Sequence, residues 1–92
     1  MMELKQTVEM MNSNDYRERF KAEYLQTKIR YEKLKKFNTK IEASELIGVP
    51  ESIKHDCPLT LLCQQQRLMG EYLHVLELRA EIEGIELEVQ NA

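Results

Sequence analysis

The sequence predicts an all-α protein: a short N-terminal helix plus an antiparallel helical hairpin that self-associates through its second long helix. Three observations carry this expectation. The 92 residues include only three Gly and two Pro and no Trp, while Glu, Lys, Leu and Gln are abundant, a composition that favours helices over strands. Within residues 15–43, Phe20, Tyr24, Thr27, Tyr31, Leu34, Asn38 and Ile41 follow a four-three alternation, the seam of a hairpin or coiled coil. Within residues 59–83, Leu61, Leu68, Val75 and Ile82 recur every seven residues, Leu62, Met69 and Leu76 form a second column, and Leu73 and Ala80 a third. A helix lying on its own domain needs one apolar stripe about 100° wide, so this surplus requires cover from two sides. The first helix supplies one cover, and another copy of the chain is the expected second. A chain of this length forms a single domain, residues 1–92, and small domains often associate because they bury a small fraction of their surface alone.

Each element has its own signals. Leu4, Val8 and Met11 stand at helical spacing, and Asn12, Ser13 and Asn14 interrupt them. Asp15 followed by Glu18 is an acidic capping-box spacing, which opens the first long helix at about 15–43. Thr27 and Asn38 are polar residues in its seam; fixing register is the first reading of such residues, and facing a ligand cavity is the other. Gly48, Val49 and Pro50 make a turn, so residues 44–57 form the connection. Cys57 is the expected N-cap of the second helix, 58–83, with Pro58 at the first helical position, where a missing N–H costs nothing, and with Asp56 favourable to the dipole. Gly84 and Ile85 have the arrangement of a Schellman cap. The tail, 85–90, alternates Ile85, Leu87 and Val89 with Glu86, Glu88 and Gln90, an extended period. Gly70 costs about 1 kcal/mol relative to Ala in mid-helix. Close approach of another helix backbone is the expected compensation, and room for a ligand is the second.

The net charge of −3 hides an asymmetry. From Asp15 to Glu42 there are nine Lys and Arg against five acids, a net of +4, whereas Leu59 to Ala92 has two Arg against six Glu, a net of −4. Opposite signs favour folding the two helices against each other. The acidic total argues against duplex DNA as a partner, though a local basic patch suits a small phosphate ligand. No apolar run is long enough for a membrane span and no signal-peptide core opens the chain, so a cytoplasmic protein with free thiols at Cys57 and Cys63 is expected.

Chemistry-bearing patterns are few. His55, Cys57, Cys63 and His74 carry zinc-binding atoms without zinc-site spacing, no Cys–His pair comes with an orienting third group, and no glycine-rich phosphate loop is present. No enzyme, metal or cofactor is expected. The first helix offers more, because Tyr16, Phe20, Tyr24 and Tyr31 are interleaved with Arg17, Arg19, Lys21, Lys28 and Arg30. Rings that stack on a base beside cations that meet phosphate are the minimum apparatus for a nucleotide. Taken alone, the residues favour the plainer alternative, rings filling the seam and cations solvating its flanks.

The stretch N-D-Y-R-E-R-F-K-x-E-Y at 14–24, then C-P-x-x-L-L-x-x-Q from Cys57 and M-G-E-Y-L-x-V-L-E-x-R-A-E-I-E-G-I from Met69, resembles a family of small proteins of crAss-like and Firmicutes phages. The likeness covers about residues 14–85. More distantly, the helix after Cys57-Pro58 is similar to the helical-hairpin domain of phage anti-CBASS and anti-Thoeris sponges. Those proteins form oligomers, commonly hexamers, that sequester cyclic nucleotide or cyclic ADP-ribose signals without hydrolysing them. The resemblance implies a phage immune-evasion protein acting in the host cytoplasm, as a homo-oligomer with a small cyclic nucleotide ligand. No ligand-binding motif carries over residue by residue. The residues themselves nominate Tyr16 or Tyr24 for the base, Arg17, Lys21, Lys28 and Arg67 for phosphate oxygens, and Leu61, Leu68, Gly70, Val75 and Ile82 for the oligomer interface. The competing classes are a protein-binding inhibitor, such as an anti-CRISPR directed at a host defence protein, and a structural phage accessory protein.

Overall fold

The computed structural model describes residues 4–87. A 3-10 turn, Leu4–Thr7, runs into α1, Val8–Met11; α2 spans Tyr16–Leu46, a second 3-10 turn covers Pro50–Ser52, and α3 spans Leu59–Glu83. The protein is all-α, a short N-terminal helix beside two long ones that pack together, and no strand occurs among the described residues. A helix of 31 residues at 1.5 Å per residue is about 46 Å long, so α2 sets the long dimension of the 49 × 25 × 25 Å particle.

Local chemistry sets the ends of the helices. Asp15 caps α2 by accepting a hydrogen bond from the Arg17 amide at 2.9 Å. The reciprocal half of the expected capping box is absent: the Asp15 amide donates to Ser13 Oγ at 3.0 Å, two residues back, in place of Glu18. Helix α2 continues to Leu46, three residues beyond the expected end. It closes with Gly48 in the left-handed region at φ 83° and the Val49 amide donating to Ser44 O at 2.9 Å. Gly84 repeats the arrangement at the end of α3, with φ 71° and the Ile85 amide donating to Ala80 O at 2.9 Å. The start of α3 lies one residue later than expected. Pro58, not Cys57, is the flanking residue, and its carbonyl accepts from the Leu61 and Leu62 amides with no side-chain cap.

The core lies at the end of the hairpin where α2 begins and α3 finishes. Phe20, Tyr24 and Leu25 of α2 meet Leu73, Leu76 and Ala80 of α3, with Met10 and Leu87 packing from the flanks. Ile85 is buried there too, so the tail begins by folding under the core. Residues 85–87 have no regular structure, and the rest of the expected extended tail lies outside the described residues. The N-terminal arm docks on α2 through buried Thr7, whose hydroxyl donates to Leu4 O at 2.6 Å and accepts from Gln26 Nε2 at 2.7 Å. Among the described residues, no helix is long and apolar enough to cross a membrane.

Candidate functional site

At the start of α2, three of the residues nominated for a ligand, Tyr16, Arg17 and Tyr24, turn toward the end of α3. Tyr16 donates its hydroxyl hydrogen to Glu83 at 3.0 Å and accepts from Arg79, and Arg17 Nη1 donates to the Gly84 carbonyl at 3.1 Å. Arg79 also covers the Phe20 ring, its guanidinium carbon 5.0 Å from the centroid. Tyr24 is buried and donates to Glu77 at 2.9 Å, which takes its ring out of reach of a base. Lys28 sits 6.0 Å over that same ring and Lys21 is half-buried. Tyr16, Arg17 and Tyr24 thus stitch the hairpin, while Lys21 and Lys28 make no bond to α3 among the described residues. The pKa shifts agree. Burial, reinforced by the Glu77 carboxylate, pushes Tyr24 up to about 12, and the bond from Tyr16, with Arg79 second, holds Glu83 below its ordinary value.

Arg67, the remaining nominated cation, is elsewhere. It lies 12 residues before Arg79 on the same helix, about 18 Å along the axis. There a groove of about 760 Å³ runs between the two long helices. Tyr31, Lys35 and Thr39 line it from α2, and Gln66, Arg67, Gly70 and His74 from α3, with Glu42 and Glu71 also in the wall. Its size falls within the range of small-molecule sites. The reason for glycine at position 70 is visible here: a Cβ would come within 3.2 Å of Tyr31 Cε1 and 3.5 Å of its hydroxyl oxygen. The compensation expected at Gly70, a second helix backbone, is thus replaced by a side chain of the same chain. Gly70 faces Tyr31 within the hairpin and does not belong with the outward apolar column.

That column is the third feature. Leu61, Leu68 and Val75 are about half exposed, at 52%, 49% and 49%, and Ile82 is 83% exposed. Tyr72 and Leu78 flank them, also exposed. The columns 62, 69, 76 and 73, 80 turn toward α2, so the second apolar face of α3 has no cover among the described residues. Val75 belongs to both this face and the groove wall.

Sequence reasoning placed Tyr31 among the interleaved rings but did not nominate it, since nothing in the spacing separates it from Tyr16 and Tyr24, and it missed Lys35 because a lysine on a basic helix carries no distinguishing signal. Among the described residues no group of three His, Cys, Asp or Glu converges to hold a metal ion. Cys57 and Cys63 are free.

Comparison with known proteins then supplies a family. The Sequestin family model matches residues 14–82, from the cap of α2 to the last turn of α3. The chain belongs to the Sequestin family. The matched span takes in the groove, the Tyr24–Glu77 bond and the whole apolar column, and stops just short of Glu83 and Gly84 at the stitched end; the family's name denotes sequestration. No curated protein and no solved structure matches this Sequestin chain.

Proposed function

We propose that this protein is a phage immune-evasion factor that sequesters a cyclic nucleotide or cyclic ADP-ribose type signal in the host cytoplasm without hydrolysing it. The Sequestin match over both long helices carries the reading. The groove supports it, since ring, cations and hydrogen-bond donors from two helices meet in a concavity of small-molecule size. Holding rather than cleaving fits the side chains at hand. Cys63 faces Glu42 at 4.0 Å and His74 pairs with Glu77 at 3.7 Å, while Cys63 and His74 are 11 residues apart on one helix, about 16 Å, too far for a nucleophile and its base. Self-association through the outward face of α3 completes the proposal, because the column Leu61, Leu68, Val75 and Ile82 stands exposed among the described residues and a partner would cover it.

One observation favours a second reading, a protein-binding inhibitor. Leu46 and Ile47 stand exposed beside Val49 at the tip of the hairpin, away from the groove. Native mass spectrometry distinguishes the two. The purified protein is measured alone and after incubation with cyclic dinucleotides, cyclic trinucleotides and cyclic ADP-ribose isomers. Sequestration requires a closed oligomer that retains a fixed number of nucleotides, recovered with unchanged mass after denaturation. An assembly that retains none of them would defeat the nucleotide reading and favour the hairpin tip as a protein contact.

A further inference from the structure

Four tyrosines lie along the hairpin, and three of them are committed. Tyr16 bonds Glu83, Tyr24 bonds Glu77 and Tyr72 bonds Glu23, each donating its hydroxyl hydrogen to a carboxylate of the opposite helix. The Tyr31 hydroxyl has no such partner among the described residues, and Tyr31 is the tyrosine that lines the groove. Its neighbours share that availability. Lys35 makes no ion pair among the described residues, and Gln66 uses its Oε1 to accept from Asn38, which leaves its amide N–H groups for another partner. Among the described residues Arg67 is held by Glu71 of its own helix alone, at 3.2 Å, an exposed pair of the kind that a competing anion replaces at little cost.

The chemistry of this set is one-sided in donors and nearly balanced in charge. A tyrosine hydroxyl, a lysine, an arginine and a primary amide all donate, which suits phosphate oxygens. Glu42 and Glu71 stand in the same wall, two acids against the two cations, while Lys36 and Lys40 beside Glu32 continue the basic face of α2 next to Lys35. Such a site accepts a ligand with one or two phosphate charges and disfavours a linear triphosphate, whose additional charges would meet the glutamates.

Resting on the sequestration reading, we infer that the α2–α3 groove is the phosphate seat of the sequestered ligand. Lys35 and Arg67 clamp it from opposite helices, Tyr31 and Gln66 donate to it, and the ligand class is a cyclic nucleotide of low charge. Gly70 keeps the seat open by giving the hydroxyl end of Tyr31 room against α3.

The test is isothermal titration calorimetry with cyclic di-AMP, cyclic ADP-ribose and ATP as probes. The wild-type chain should bind at least one cyclic probe more tightly than ATP. Lys35→Glu and Arg67→Glu should each weaken that probe by at least about tenfold, with Lys35→Gln and Arg67→Gln as milder versions and circular dichroism confirming the helical signal. Glu71→Gln should tighten binding, because it frees Arg67 and removes a repelling carboxylate. A wild-type chain that binds a cyclic probe while both charge reversals keep its affinity would overturn the seat but leave sequestration standing. Loss of binding in Tyr16→Ala or Lys21→Ala alone would move the site to the start of α2. A wild-type chain that binds no cyclic probe would remove the reading on which the seat depends.

Discussion

At the scale of single residues, the hairpin is fastened by bonds from tyrosines to glutamates rather than by ion pairs between the lysines and glutamates that dominate its charge. Both Arg–Glu ion pairs among the described residues, Arg67–Glu71 and Arg79–Glu83, lie within α3, as does the His74–Glu77 contact. The bonds that cross from α2 to α3 come largely from phenol hydroxyls. A phenol suits this position, since its ring fills the seam and its oxygen reaches the carboxylate at the edge. Replacing Tyr24 by Phe keeps the ring and removes the bond to Glu77, and should cost about 1 kcal/mol in urea unfolding, because the released carboxylate is rehydrated. The pH dependence has a definite sign. Tyr24 is raised from 10.0 to about 12 in the folded chain, so its contribution is complete below pH 10.0 and declines as the pH rises toward 12. Stability curves of the wild type and Tyr24→Phe should therefore converge across that window. Glu83 acts at the other extreme: its lowered pKa gives stability that is present above the ordinary carboxylate value and lost on acidification through the depressed one. Parallel curves for wild type and Tyr24→Phe above pH 10 would remove Tyr24 from this account.

At the scale of elements, the all-α class and the two seams were legible because periodicity reports which face is buried, whatever covers it. Phe20, Tyr24, Asn38 and Ile41, read as seam positions, are buried in the hairpin. The exact helix starts were less legible, since single hydrogen bonds decide them: Ser13 takes the Asp15 amide that the box spacing gave to Glu18, and α3 begins after Pro58 rather than at it. The aromatic-cationic turns of α2 were ambiguous in sequence because the same residues serve a seam or a ligand, and only the partners Glu77, Glu83 and Gly84 on α3 separate the two. The groove was least legible. Tyr31, Lys35 and Arg67 come together only through the register of two antiparallel helices, and neither segment alone encodes that register. Asn38 fixes it. This residue is 1% exposed, its Nδ2 donates to Leu62 O at 3.2 Å and Gln66 Oε1 at 3.0 Å, and its Oδ1 is buried without a partner among the described residues. Substitution by Asp keeps the shape but sets a carboxylate oxygen against the Leu62 carbonyl. Asn38→Asp should destabilise the hairpin by roughly 2 kcal/mol or more at pH 7. The introduced carboxyl, buried beside acceptors, would titrate above its unfolded value, so stability should recover on acidification, measured by guanidinium unfolding at pH 7 and pH 5. Equal stability of the variant and the wild type at both values would show that Asn38 does not hold the register.

At the scale of the whole molecule, the unsolved face is the outer side of α3. Its apolar column cannot be assigned to the core, because the core already draws Leu73, Leu76 and Ala80 from the opposite side of the helix. Nor is it a scatter of single exposed residues, which would need no explanation, since Leu61, Leu68, Val75 and Ile82 stand two turns apart in one line over most of α3. The uncharged Gln64 and Gln65 flank this column near its start, while the glutamates 77, 81 and 83 fall toward its end. A second copy pairing through the column would bury apolar surface without forcing the lysines of α2 together. Because Val75 also lines the groove, such a partner would stand at the groove's edge, and assembly and ligand binding would be linked: whatever binds the assembled form more tightly also stabilises assembly. Leu68→Glu with Val75→Glu places two charges at the centre of the column, where neither side chain contributes to the hairpin core. The double variant should keep its helical circular dichroism while its mass by analytical ultracentrifugation falls to that of one chain, 10.9 kDa. Its affinity for a cyclic probe should fall as well, whereas Leu46→Glu at the hairpin tip should leave the mass unchanged. A wild-type chain that sediments as a monomer at micromolar concentration would reject the paired face outright; a double variant that stays assembled would place the contact on another surface, with the exposed Leu46 and Ile47 the next to be altered.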